Sequence, residues 1–414
     1  MINQDRIWDR LFKLSKIGKQ KDGGITRLSF TKQERKAKDL VISFMKEAGL
    51  AIREDEVGNL IGRKEGRNIN DPVVIIGSHL DSVPNGGNFD GPLGIIAGIE
   101  VLQTMNEKGI IPDHPIEVIA FTDEEGTRFG LGMIGSRGIA GTLNNEQLQK
   151  EDEHGISISE AMKRVGLDPN NISRATRVKG SIKAYIELHI EQGKVLESEN
   201  LPVGIVSGIA GPLWNKWTLM GEAAHAGSTP MQIRKDPLVA AAIILQFIEE
   251  EVKKHKNAVG TVGKILVKPG GVNVIPGLVE FTFDLREIDE KVRDEIEQNI
   301  ISKANKICQE RGIELFIEDL QRVAPAICSK EIQEIIENSC QKNEVHPFIL
   351  PSGAGHDGMQ LHPICPIGMI FVRSKNGISH NPEEWSSKED CGISAIVLYH
   401  SILQLSDKKI NFIC

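Results

Sequence analysis

Val73-Val74-Ile75-Ile76-Gly77-Ser78-His79-Leu80-Asp81-Ser82 is the stretch on which the fold turns. Four consecutive β-branched aliphatic residues, with no polar alternation, describe a short strand buried on both faces. A polar segment with a histidine and an aspartate follows at once. In open α/β sheets, ligands gather beyond the carboxyl ends of the strands, so His79 and Asp81 fall where chemistry is expected. The pattern recurs. Residues 116–121 (IEVIAF) run into Thr122-Asp123-Glu124-Glu125-Gly126, residues 184–189 end on His189, and residues 367–372 precede Gly377-Ile378-Ser379-His380. Residues 92–105 are apolar enough for a buried helix. Strands alternating with helices predict an α/β layered domain.

Working outward, residues 1–60 read as mostly helical, with Thr31-Lys32-Gln33-Glu34 as a capping box opening a helix toward Ala48 and Gly49. Residues 212–328 read differently. Strands at 213–220, 260–267, 278–285 and 313–320 alternate with helices at 236–255 and 289–311, the latter closed by Gly312. That β-α-β-β-α-β order is ferredoxin-like. It interrupts the α/β pattern, so an inserted domain at 212–328 is expected between the two parts of the first, 1–211 and 329–414.

A length of 414 residues agrees with two domains, being too long for one ordinary core. The net charge of −8, from 49 basic and 57 acidic residues, argues against a nucleic-acid partner. A local arginine can still meet a small anion. The first residues lack the basic flank and apolar core of a signal peptide, and no apolar run approaches the ~20 residues that span a bilayer. The six cysteines lie in the last third, with no C-x-x-C pair. They read as reduced thiols, with Cys414 a bystander, in a cytoplasmic protein with no membrane partner.

Taken singly, the candidate residues have plain explanations. Asp90, in Asn88-Phe89-Asp90-Gly91-Pro92, reads as an N-cap. His79 reads as a polar residue near a turn, with Asp81 placed to orient its ring. Three acids straight after a buried strand are costly unless they are solvated or face cations. Neighbouring residues at a strand end point different ways, so one of Glu124 and Glu125 can hold a metal while the other serves as base. Together, His79, His189 and His380 with Asp90 and Glu124/Glu125 all end or follow core strands. Nitrogen and carboxylate ligands of this kind suit Zn²⁺, Mn²⁺, Co²⁺ or Ni²⁺.

The segments GSHLDSVPNGGNFDG, TDEEG, ELHIEQG, HAGSTPM and GISHNPEEW resemble the M20-type metallopeptidase superfamily. The resemblance is closest to its amidohydrolase branch: N-carbamoyl-L-amino-acid hydrolases, β-ureidopropionases and allantoate amidohydrolases. It runs from Arg27 to Cys391. It implies a mixed-sheet, di-metal catalytic domain with an inserted ferredoxin-like dimerisation (lid) domain. Asp90 would bridge two divalent ions. His79 and Glu125 would complete one side or the other, with His189 and His380 as the remaining ligands. Glu124 would be the general base. On the insert, His225 would reach a neighbouring subunit's site and stabilise an oxyanion, and Asn273 and Arg286 would bind a substrate carboxylate. Gln192 would touch substrate, and Gly353 and Ala354 would line the pocket. Without the resemblance, Asn273 and Arg286 read as a turn residue and a surface ion pair, and His356 reads as structural. Arg373 stands where many relatives carry proline.

The implied reaction is hydrolysis of an N-carbamoyl-L-amino acid to the amino acid, CO₂ and NH₃, by a homodimer acting on a small anionic ureido or amide substrate. Allantoate amidohydrolase is the nearest alternative. An aminoacylase or dipeptidase fits the HIEQG and FDG spellings less well. A non-catalytic metal-binding relative would be expected to lack a ligand or the base, and none is missing.

Overall fold

The computed structural model describes residues 1–410, so Cys414 lies outside the described residues. The chain divides into two compact units: Met1–Ser207 with the chain from Ile327 onward, and Gly208–Ala326. The second unit thus begins at 208 and closes at 326, where the sequence pattern places 212 and 328. No linker composition marks the entry, because the strand Val203–Ile209 passes through Ala210 straight into Gly211–Met220.

Among the described residues, the first unit carries a mixed sheet of nine strands. Its order is Ala51–Glu54, Leu60–Lys64, Ile116–Phe121, Val73–His79, Ile182–Ile190, Ile367–Val372, Val203–Ile209 and Ala326–Ile327, with Ile349–Ser352 also paired to 203–209. Four strands, 73–79, 116–121, 182–190 and 367–372, are buried along their whole length, mostly by apolar side chains but with Glu117, Lys183, Glu187 and His189 among them. They are mutually parallel, and the register sets His79 opposite Phe121 and Phe371 opposite His189. Their carboxyl ends therefore open along one edge. The helix Pro92–Glu107 is almost wholly buried and shares a single core cluster with the helices Gln4–Leu14 and Lys388–Leu405.

The helix Lys32–Glu47 starts as a capping box with a small shift. Thr31 Oγ1 accepts from the Glu34 N–H at 3.3 Å, while Glu34 Oε2 accepts from the N–H of Phe30 at 2.6 Å. The helical expectation fails beyond it. Residues 51–54 and 60–64 form an antiparallel pair at the sheet edge. Arg53, Glu54, Arg63 and Lys64 mask the strand pattern there; Arg53 and Glu54 lie on the edge strand, where charges are expected, and 60–64 is the strand inside it.

The second unit has a four-stranded antiparallel sheet ordered Glu314–Arg322, Gly211–Met220, Leu278–Glu287, Val259–Lys268. Strand 278–287 alternates strictly between buried and half-buried residues. The inner residues meet helices Pro237–Val252 and Glu290–Arg311 in one core cluster. Gly312, at φ +65°, ends the second helix in the left-handed conformation that glycine adopts without strain. A two-stranded pair, Ala224–His225 with Val274–Ile275, sits apart from this sheet. No helix among the described residues is long and apolar enough to cross a membrane. Cys308, Cys328, Cys340 and Cys391 are buried thiols.

Candidate metal centre and active site

His79 is the last residue of its strand, and Asp90 sits in the turn before the buried helix. The N-cap of that helix is Gly91, with no side-chain capping bond, so the Asp90 carboxylate is spent elsewhere. Gly91 has φ +80°, and a Cβ there would stand 2.5 Å from the His79 ring. Only glycine lets the turn bring Asp90 against that imidazole. Asp90 Oδ1 lies 3.4 Å from His79 Nε2 and 3.2 Å from His189 Nε2. Its other oxygen, Oδ2, lies 3.4 Å from His380 Nε2, which in turn is 3.5 Å from Glu125 Oε2. Two groups whose ligand atoms lie within 4.8 Å of one another result, close enough to share an ion: His79, Asp90 and His189, and Asp90, Glu125 and His380. They share one carboxylate, one oxygen to each.

The acidic turn 122–126 is ordered from beneath. Asp81 accepts the N–H of Glu124 on Oδ1 at 3.3 Å and that of Glu125 on Oδ2 at 3.2 Å. The His79 ring faces the Asp81 backbone oxygen at 3.0 Å, closer than the 3.7 Å to its Oδ1. Asp81 therefore orients the ring through its main chain, and its carboxylate holds the two glutamates. Asp123, at φ +54°, turns inward, where Ser29 donates to it. Glu124 Oε2 lies 3.9 Å from His79 Nε2, with only 9% of the side chain exposed.

The electrostatics follow from packing anions and imidazoles together out of water. Burial pushes the Glu124 carboxyl well above its usual range, against the pull of the His79 charge. Burial and the neighbouring Asp90 raise Glu125 to about 7. Burial opposes ionisation of Asp90 too, but the charge of His189 and hydrogen bonds with three imidazoles hold it well below the carboxylate range. The hydrogen bond to Asp90 raises half-exposed His380 to about 9. One carboxylate thus gathers positive charge from three sides. Imidazole nitrogens and carboxylate oxygens converging this way fit a divalent cation such as Zn²⁺, Mn²⁺, Co²⁺ or Ni²⁺ on each side of Asp90.

Around these ligands, Gln192 (φ +58°) donates from Nε2 to Asp90 Oδ2 at 2.7 Å, and its Oε1 is buried without a hydrogen-bond partner. Gly353 is exposed and Ala354 half-buried, at the end of strand 349–352. His356 is buried, 3.0 Å from Ser352 Oγ and edge-on to His189 at 4.6 Å between ring centres. With Glu187 and His189 it forms a third cluster of ligand atoms. Glu187 is already engaged there, by Tyr185 at 2.7 Å and Ser78 at 3.2 Å. Sequence reasoning passed over Glu384, whose carboxylate accepts the N–H groups of Phe89 and Asp90 at 2.7 and 3.1 Å. An acid between His380 and the apolar Trp385 was the signal available. Arg373 pairs with Asp390 at 3.0 and 2.9 Å and reaches Asn200, tying the start of the His380 segment to the last helix.

His225, Asn273 and Arg286 lie in the second unit. His225 is exposed, and its Nδ1 accepts the N–H groups of Gly227 and Ser228 at 3.1 and 3.2 Å. With Nδ1 an acceptor, the neutral ring carries its proton on Nε2 and presents a donor outward. The backbone oxygen of Asn273 accepts from Ala226 N at 2.9 Å, bringing the two segments together. Arg286 forms a forked ion pair with Asp284, two residues before it on the same strand.

The model of peptidase family M20/M25/M40 matches residues 75–404. An N-carbamoyl-L-amino acid amidohydrolase from Geobacillus stearothermophilus is 58% identical, over 98% of this chain and 99% of that one. An allantoate amidohydrolase from Bacillus subtilis is 35% identical, over 97% and 98%. The structure of a hydantoinase/carbamoylase-family amidase from Burkholderia multivorans superposes with a TM-score of 0.92 at 34% identity, covering 98% of each chain. The chain belongs to peptidase family M20/M25/M40.

Proposed function

We propose that this chain hydrolyses N-carbamoyl-L-amino acids to the L-amino acid, CO₂ and NH₃, using two divalent ions per subunit. The observation that carries the hydrolytic reading is Asp90, with one oxygen toward His79 and His189 and the other toward His380, itself beside Glu125. The substrate class is taken from the Geobacillus stearothermophilus relative at 58% identity. Held by His79, Asp90, Glu125, His189 and His380, two divalent ions would supply Lewis acidity toward the ureido carbonyl and bring a water's pKa down toward ~7.

The chain's own residues do the rest. Glu124, raised by burial, takes a proton from the attacking water and delivers it to the leaving nitrogen. Asp81 keeps Glu124 and Glu125 apart in role by fixing their backbone. Gln192 Oε1, a buried acceptor without a partner, suits a ureido N–H. Gly353 and Ala354 leave room for the substrate. Arg286 and Asn273 supply the carboxylate clamp and His225 an Nε2–H for the developing oxyanion, in a homodimer where the inserted domain serves the partner's site. Buried thiols and the absence of a nucleic-acid-like charge fit a cytoplasmic enzyme of small molecules.

A second reading, allantoate amidohydrolase, is supported by the Bacillus subtilis relative. Turnover of N-carbamoyl-L-amino acids, allantoate and N-acetyl amino acids, compared on protein loaded with Mn²⁺, Co²⁺, Zn²⁺ or Ni²⁺, separates the two. The highest kcat/KM is expected on an N-carbamoyl-L-amino acid. Preference for allantoate establishes the second reading, and no turnover of any of them overturns both.

A further inference from the structure

Asp90 and His380 stand 290 residues apart in the chain, and one buried carboxylate joins the segments that carry them. Glu384, 4% exposed, accepts the N–H groups of Phe89 and Asp90 on the same oxygen, Oε1. Its Oε2 lies 3.3 Å from Ser379 Oγ, and that hydroxyl is 2.7 Å from Asp90 Oδ2. The approach is prepared on the other side: a Cβ on Gly87 would stand 2.1 Å from the Glu384 carboxylate, so the 86–91 turn leaves a gap just where the acid enters. The loop between His380 and Glu384 is tied to itself, with Asn381 accepting the N–H groups of Glu383 and Glu384. Phe89 and Trp385, the neighbours of Asp90 and Glu384, stack edge-on at 5.6 Å.

We propose that Glu384 is a positioning residue that sets Asp90 and His380 at the spacing one cation requires. The inference rests on the metal reading above and deepens it. Without the acid, two buried N–H groups lose their acceptor and the turn carrying Asp90 is released from the loop carrying His380. His79 and His189 are held by their own strands, so the group they form with Asp90 depends less on the link. The loss should therefore be selective: the ion between Asp90, Glu125 and His380 weakens, and the other stays. A partner that merely stabilised the fold would weaken both.

The test is calorimetric titration of the metal-stripped full-length protein with Zn²⁺, alongside thermal melting of each metal-free variant. Wild type should show two binding events. Glu384→Ala should weaken one event about 10–100-fold while the other stays within about threefold. Glu384→Gln should recover most of the loss, since its amide oxygen still accepts from both N–H groups. Glu384→Asp, one methylene short, should reproduce the selective loss, and it decides the matter should the alanine variant not fold. Two events of wild-type affinity in a folded Ala or Asp variant overturn the inference, as does equal weakening of both. Fewer than two events in wild type overturns the metal reading itself and this inference with it.

Discussion

Gln192 donates from Nε2 to Asp90 Oδ2 at 2.7 Å, the same oxygen that faces His380. A cation held by Asp90, Glu125 and His380 competes with that N–H for the oxygen. On the proposed reading, a cation there would release the amide to meet substrate. Gln192→Ala is expected to raise KM about 10–100-fold, the loss of one hydrogen bond near charged groups, with metal content unchanged. Steady-state kinetics with metal analysis checks this, and an unchanged KM removes Gln192 from substrate contact.

Glu124 stands beside the ligand groups without belonging to either. Glu124→Gln keeps its shape and removes its basicity. We expect two ions still bound and kcat lower by about 10²–10⁴-fold. Full turnover in the loaded variant would show that another group takes the proton.

Asp81 acts one step back. Asp81→Ala leaves the N–H groups of Glu124 and Glu125 without their acceptor, each loss costing about 1–3 kcal/mol where the group stays buried. The variant should melt earlier and turn over more slowly, with a changed pH–rate profile because the base is no longer fixed. A lower melting temperature with an unaltered profile would confine Asp81 to stability.

The pH dependence has a definite sign. In the metal-free protein His380 is raised to about 9, first by its hydrogen bond to Asp90. At pH 7 it carries a proton that an incoming cation must displace. Metal affinity should rise with pH through about 9 as that proton is lost. The metal-free fold behaves oppositely: the His380–Asp90 pairing contributes fully below the ordinary imidazole value and is lost as pH rises through about 9. Calorimetry in buffers of different ionisation enthalpy should detect proton release at pH 7, fading at higher pH. No release at pH 7 contradicts the assignment.

The roles given to His225, Asn273 and Arg286 require a partner chain. A variant held monomeric should bind both ions and remain inactive. A fully active monomer, measured by kinetics beside light scattering, refutes the shared site.

Much of this was legible from residues because it depends on period and position. The run 73–76 announces a strand buried on both faces, and a histidine at its exit announces where the site lies. Side-chain direction was not legible. Asp90 reads as a cap in sequence, and only the backbone shows Gly91 taking that place. Asp81 reads as a ring-orienting carboxylate, yet its oxygens point to the next strand's turn, a choice made by the parallel register. Glu384 was passed over for a related reason: two of its partners are backbone N–H groups, which no side-chain pattern reveals, and only its place between His380 and Trp385 marked it. The edge pair 51–64 was hidden because charged edge strands carry little alternation.

The strand 367–372 lies between 182–190, its parallel neighbour, and 203–209, its antiparallel one. Both flanking strands are made well before residues 367–372, so a slot between them stays open until that segment follows. The slot exposes two rows of unpaired backbone groups in mainly aliphatic strands. A C-terminal truncation before residue 367 is therefore expected to give insoluble protein, whereas supplying that segment in trans, as a separate peptide, offers a way to close the sheet on demand.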